Sequence, residues 1–209
     1  MRKRKNELYS IIKDDVVNNA KTYFVILTIY IVGVFLGVMF VNQINDKSQL
    51  EQYINTYIDE TKSIENVDYF KELQNDVKNN IILVILLWFA GTTIIGMPIV
   101  LGIILFRGFC LGYTIAACAY VLGKVKGLIF VAMTVLLQNI IFIPAIMILG
   151  VSSIKLYKSI IKDRRKENIK VSIVKHSMIS TIILIALIIA SIIKTEISYR
   201  LIINLIKYF

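Results

Sequence analysis

The sequence predicts an all-α protein, a polytopic integral membrane helical bundle of about five spans. A broken or kinked element near residues 96–107 and a small helical outer loop complete it. Three observations predict this class. The chain has 209 residues, is 57% hydrophobic and 18% charged, and has a mean hydropathy of +0.72; soluble domains run about 45–50% apolar and about 25% charged. A fold of this size leaves too much surface exposed to hide that excess of Ile, Leu and Val, so the excess faces lipid. Uncharged stretches long enough to cross hydrocarbon recur along the chain. Finally, Lys and Arg number 24 against 14 acids, and they gather in two clusters that flank apolar runs. That is the positive-inside pattern, so the expected partner is membrane lipid and not nucleic acid.

The elements follow in order along a single membrane domain, 1–209. A basic N-terminal segment leads into the first span, 22–41, which carries no charge. Its apolar core is too long for a signal peptide, so an uncleaved span with a cytoplasmic N-terminus is expected. The loop 43–79 is rich in acids and sparse in Lys, which assigns it to the outside. Leu50, Tyr53, Ile54, Tyr57, Ile58, Thr61 and Ile64 recur there at helical spacing, and Phe70, Leu73 and Val77 make a second stripe. Two short amphipathic helices are expected.

Residues 80–106 are uncharged but interrupted by Gly96-Met97-Pro98, and Arg107 follows. Two readings keep the topology. In one, a kinked span covers 80–106 and Arg107 lies at the cytoplasmic turn. In the other, spans cover 80–95 and 98–122, the chain is broken or re-entrant around 98–107, and Arg107 lies at depth. The second is preferred, although a guanidinium at depth needs protein or water around it. The fourth span is 127–151. A basic cytoplasmic loop, 152–176, precedes a fifth span, 177–194, and an interfacial tail, 195–209, ends the chain outside.

Catalytic candidates are few. The carboxylates of the outer loop read as a solvated face, and the loop holds neither His nor Cys. His176, the one histidine, reads as an interfacial residue beside Lys175. Cys110 and Cys118 read as packing residues, too far apart on one helix to bridge. No cofactor and no metal site are expected. Structural or partner-contact candidates are more numerous. Gly33 and Gly37 in the first span, and Gly108 and Gly112 in the third, have the spacing that lets helices approach closely. Gln138 and Asn139 are intramembrane amides suited to bonds across helices. The first four spans contain no Asp or Glu. Acceptors for Arg107 are therefore sought in the carbonyls near Gly96 and Pro98 or in these two amides.

Two runs carry a family resemblance. Trp88-Phe89-Ala90-Gly91, continuing through Ile95-Gly96-Met97-Pro98, resembles the W-F-x-G-x-x-x-I-G-x-P segment of the stage II sporulation protein M family. Gln138-Asn139, followed by Ile143-Pro144-Ala145 and Gly150, resembles its Q-N-x-x-x-I-P-A-x-x-x-x-G segment. Arg107, Gly108 and Gly112 lie between them in similar order and spacing. Leu137 stands where a proline would be expected. The resemblance implies a role in endospore engulfment. A non-enzymatic scaffold in the cell membrane would there assemble or position membrane-anchored peptidoglycan hydrolases, stage II sporulation proteins D and P. The alternative is a small-solute or lipid-linked transporter or flippase. A cavity lined by Arg107 and the amides, open to one side, would favour transport; a closed bundle with an exposed apolar ridge would favour the scaffold.

Overall fold

The computed structural model describes residues 16–45, 47–62, 69–93, 95–132, 137–162 and 169–206. Its helices are α1 (Ala20–Gln43), α2 (Ser48–Lys62), α3 (Tyr69–Thr92), α4 (Gly96–Val121), α5 (Lys124–Val131), α6 (Leu137–Lys162) and α7 (Ile169–Ile206). Among the described residues there is no strand. The chain is a polytopic helical bundle of the membrane type. Among the described residues, four helices are long and apolar enough to cross a bilayer, within α1, α4, α6 and α7.

The expected count was about five, and α3 makes the difference. Its apolar part runs only from residue 81 to its end, roughly 18 Å at 1.5 Å per residue, against about 30 Å of hydrocarbon. The remainder of α3 is amphipathic. The Phe70, Leu73 and Val77 stripe is therefore not a separate surface helix; it is the first half of the helix that returns the chain through the bundle.

The interruption expected around 96–107 lies just ahead of that segment. Thr93 N–H donates to Ala90 O and Gly96 N–H to Thr93 O, which turns the chain between α3 and α4. Pro98 then sits in the first turn of α4, where a missing N–H costs little, and α4 runs unbroken through Arg107. The turn depends on Gly96: a Cβ there would come within 1.6 Å of the Ala90 carbonyl oxygen.

The most intimate helix pair is α1 with α4. A Cβ on Gly33 would meet Leu105 O at 2.2 Å, and one on Gly37 would meet Phe109 O at 2.2 Å. Reciprocally, Gly108 lies against Tyr30 O (2.2 Å) and Gly112 against Val34 O (2.0 Å). Residue numbers rise together along both helices, so the pair is parallel. The two glycine ridges are spent on each other and are not exposed.

Around this pair the core gathers Ile26, Tyr30, Leu83, Leu87, Ile104, Ile146, Leu149 and Leu187. Helices α3 and α7 are antiparallel, joined by Asn80 Nδ2 to Ser191 Oγ (2.8 Å), Trp88 Nε1 to Ser177 Oγ (3.0 Å) and an ion pair between Lys194 and Asp76. A second core holds α2 down: Leu50 and Ile54 pack with Val41, Ala117, Cys118 and Val131. Tyr53, expected on that stripe, is 75% exposed. The side chains of Tyr57, Ile58 and Thr61, and all of Ile64, lie outside the described residues.

The segment read as a basic loop, 152–176, is largely helix. Helix α6 continues to Lys162 and α7 begins at Ile169. The helices extend because their polar side chains face each other: Ser159 and Ser172 share a hydrogen bond (3.3 Å), as do Ser152 and His176 (2.8 Å). The tail is no separate element either, since α7 continues through Thr195 to Ile206. Lys124 and Lys126 lie in the short helix α5, which precedes α6.

Candidate functional site

Arg107 lies near the middle of α4, roughly 16 Å along it from Gly96. It does not reach either end of the helix, which removes the reading of a kinked 80–106 span. Counting out from the turn shared by α3 and α4, Asn80 stands at about the same height, roughly 18 Å up. Asp76 is one turn beyond. These residues, with Asn79, Thr114 and Asn139, line a half-open cavity of about 180 Å³ between α3, α4 and α6. The guanidinium carbon of Arg107 lies 5.3 Å from the centroid of the Phe142 ring, which forms part of the wall. Arginine remains charged in a protein, and an aromatic face offsets only part of its lost hydration. The one acid lining the cavity, Asp76, is already paired with Lys194.

The cavity brings Arg107 and Asn139 together. Gln138 is the second residue of α6, and its side chain lies outside the described residues. Pro144 sits inside α6 with its ring exposed. Its missing N–H leaves the carbonyl of Ile140 without the usual helical donor.

Trp88 and Gly91, both in the first motif, meet a second polar group. His176 is buried, 1% exposed, where α3, α6 and α7 join. Ser152 holds its Nδ1 atom, and Ser180 Oγ donates to its backbone carbonyl (2.8 Å). A Cβ on Gly91 would come within 2.9 Å of Nε2, an atom with no hydrogen-bond partner among the described residues. Ser153 Oγ is shared between Leu149 O (2.9 Å) and Leu87 O (3.2 Å), tying α6 to α3. His176 is thus a core residue of a polar layer, not the interfacial residue its neighbour Lys175 suggests. Ser152 and His176 have the spacing of a nucleophile and base. Both are buried, however, and among the described residues no carboxylate orients the ring and no cluster is placed to hold a metal ion.

Sequence reasoning missed Asp76, Asn79 and Asn80, because it placed the first two in the outer loop and read the third only as the start of a span. The signal that could have found them is the continuity of the Phe70, Leu73, Val77 stripe with the apolar run that follows.

The motif residues therefore occupy the joints of one fold: Trp88 and Gly91 against α7, Gly96 at the turn, Arg107 and Asn139 at the cavity. Comparison with protein families gives a match to stage II sporulation protein M over residues 26–199. The chain belongs to the stage II sporulation protein M family. The comparisons with curated proteins and with solved structures gave no match. The matched residues run from the first turns of α1 to near the end of α7, so they cover both glycine ridges, the cavity and the His176 layer.

Proposed function

We propose that the protein is a non-enzymatic membrane scaffold of endospore engulfment. It assembles or positions peptidoglycan-degrading enzymes with a single membrane anchor, stage II sporulation proteins D and P. The observation that carries the reading is the family match over most of the chain. The burial of the Ser152–His176 pair away from any substrate supports a role without wall-cutting chemistry of its own. The N-terminus faces the cytoplasm and the C-terminus the outside of the mother-cell septal and engulfing membrane. In support, Lys21, Lys155, Lys158, Lys170 and Lys175 lie at or near the end of the bundle where α1 starts, as the positive-inside rule requires. The test is a pull-down of the tagged full chain from sporulating cells in mild detergent. Enrichment of both hydrolases is expected; their absence from a complex-preserving preparation overturns the reading.

One observation favours a second reading, a carrier of a small solute or lipid-linked group. The glycine ridges are internal, and a polar cavity lined by Arg107 and Asn139 is present instead. Binding sites of carriers lie at this depth. Full activity of wall hydrolases without the protein, together with loss of a solute flux, would establish the second reading over the first.

A further inference from the structure

We propose that the cavity between α3, α4 and α6 is a binding site for a phosphate group, with the Arg107 guanidinium as its principal contact. The charge of the cavity decides the sign of the ligand. Asp76 lines the cavity and is paired with Lys194 from α7, so with that pair neutral the remaining charge is that of Arg107. A lone cation at mid-bundle is expensive, and an anion that enters with it removes the cost. Asp76 and Tyr30 act on this guanidinium electrostatically, but among the described residues neither is within ion-pair or hydrogen-bond distance of it, and its aromatic neighbour Phe142 supplies no side-chain acceptor.

The arrangement of donors decides the class. Polar side chains line the cavity from three helices: Arg107 and Thr114 from α4, Asn79 and Asn80 from α3, and Asn139 from α6. A planar carboxylate is satisfied by one face of a guanidinium; a tetrahedral phosphate presents oxygens to several walls at once and takes the guanidinium bidentately. Asn80 Nδ2 already donates to Ser191 Oγ, which fixes the amide and leaves its second N–H for a ligand. The volume agrees. About 180 Å³ has room for roughly six waters, or for one phosphate group with a few of them. It is too small for a sugar chain or a peptide. Because the cavity is half-open, the rest of a larger molecule can remain outside it. The phosphate can therefore be a lipid headgroup or a free ion.

The experiment uses the full chain, purified and delipidated in mild detergent, with thermal unfolding as the readout. Four ligands are titrated: inorganic phosphate, acetate, dihexanoyl phosphatidylglycerol, and dihexanoylglycerol, which lacks the phosphate. The unfolding midpoint should rise with the phosphate-bearing compounds and not with dihexanoylglycerol. A rise with both compounds assigns recognition to the phosphate itself; a rise with the lipid alone assigns it to the headgroup. Arg107→Gln should require at least tenfold more ligand for the same rise, and Arg107→Lys should recover part of the loss. Should Arg107→Gln fail to fold, Asn79→Leu at the exposed edge should still weaken the response severalfold. No rise in the wild type with either phosphate compound overturns the proposal. So does an equal rise with acetate, which would make the site one for the carboxylate of a partner helix, and so does an undiminished response in Arg107→Gln.

Discussion

Substituting alanine at Gly112 tests the α1–α4 joint most directly. The added Cβ would stand 2.0 Å from Val34 O and 2.7 Å from Val34 C. Ordinary contact needs about 3.4 Å, so α1 and α4 must separate by roughly 1 Å or more at this level. Opening a packed interface by 0.5–1 Å forfeits roughly a quarter to a half of each contact's attraction. Overpacking of this kind costs about 1–3 kcal/mol. Within a bilayer no hydrophobic term compensates, because lipid tails are as apolar as the helix faces. Gly37→Ala should cost about as much, since its Cβ would reach Phe109 O at 2.2 Å. The double variant should cost less than the sum, because the first substitution has already moved the helices apart. Gly102→Ala is the control. Nothing lies within 4 Å of its Cβ, and alanine gains up to about 1 kcal/mol of helix propensity over glycine. Reversible unfolding in mixed micelles reads all four. If Gly112→Ala and Gly37→Ala unfold like Gly102→Ala, or if their costs add fully, the facing-ridge packing is wrong.

The other predictions are shorter. Gly96→Ala drives a Cβ to 1.6 Å from Ala90 O, so the α3–α4 turn must open; a loss of about 2–3 kcal/mol should appear as reduced yield in membranes, and normal yield would contradict the turn. Ser152→Ala leaves a buried ring nitrogen of His176 unpaired, at about 1–3 kcal/mol, whereas Ser152→Ala with His176→Leu should recover much of that loss; thermal unfolding of both variants decides it. Asn80→Leu removes the bond to Ser191 and should cost about 0.6–1.7 kcal/mol on the same measurement. In intact cells, cysteine at Tyr53 should react with an impermeant thiol reagent while cysteine at Lys158 does not; the reverse pattern would invert the orientation.

The long apolar runs made α1, α4 and α7 legible, because a span of lipid-facing residues leaves little else to be; the run expected as one span, 127–151, is instead divided between α5 and α6, and the spanning stretch shifts to Asn139–Ile161. Proline was the weaker guide. Pro98 marked that a helix boundary was near but not on which side, since the first turn of a helix accepts it as readily as a break does. The deciding residue was Gly96, and its role is tertiary: only the return of the chain past Ala90 O makes a Cβ intolerable there. Both glycine ridges could be read at helical spacing, but their pairing required knowing that α1 and α4 run side by side and parallel. His176 gave no signal, because its partners, Gly91 and Ser152, are distant in the chain. Charge counting misplaced Asp76. It belongs by composition to an acidic loop and by geometry to the rim of the cavity.

The α1–α4 joint also has a consequence for biosynthesis. The α1–α4 contact joins Gly33 to residues near Gly108, roughly 75 residues later, and a ribosome adding ~5–20 residues per second takes about 4–15 s to make them. Through that interval α1 sits in the bilayer with its glycine face uncovered and its true neighbour not yet synthesised. A small-residue face in that state can engage a similar helix of another nascent chain, so the order of insertion, as much as the final packing energy, governs how much of the protein reaches the correct pairing. Slowed elongation between α1 and α4 should therefore lower the folded yield more than the same delay placed after α4.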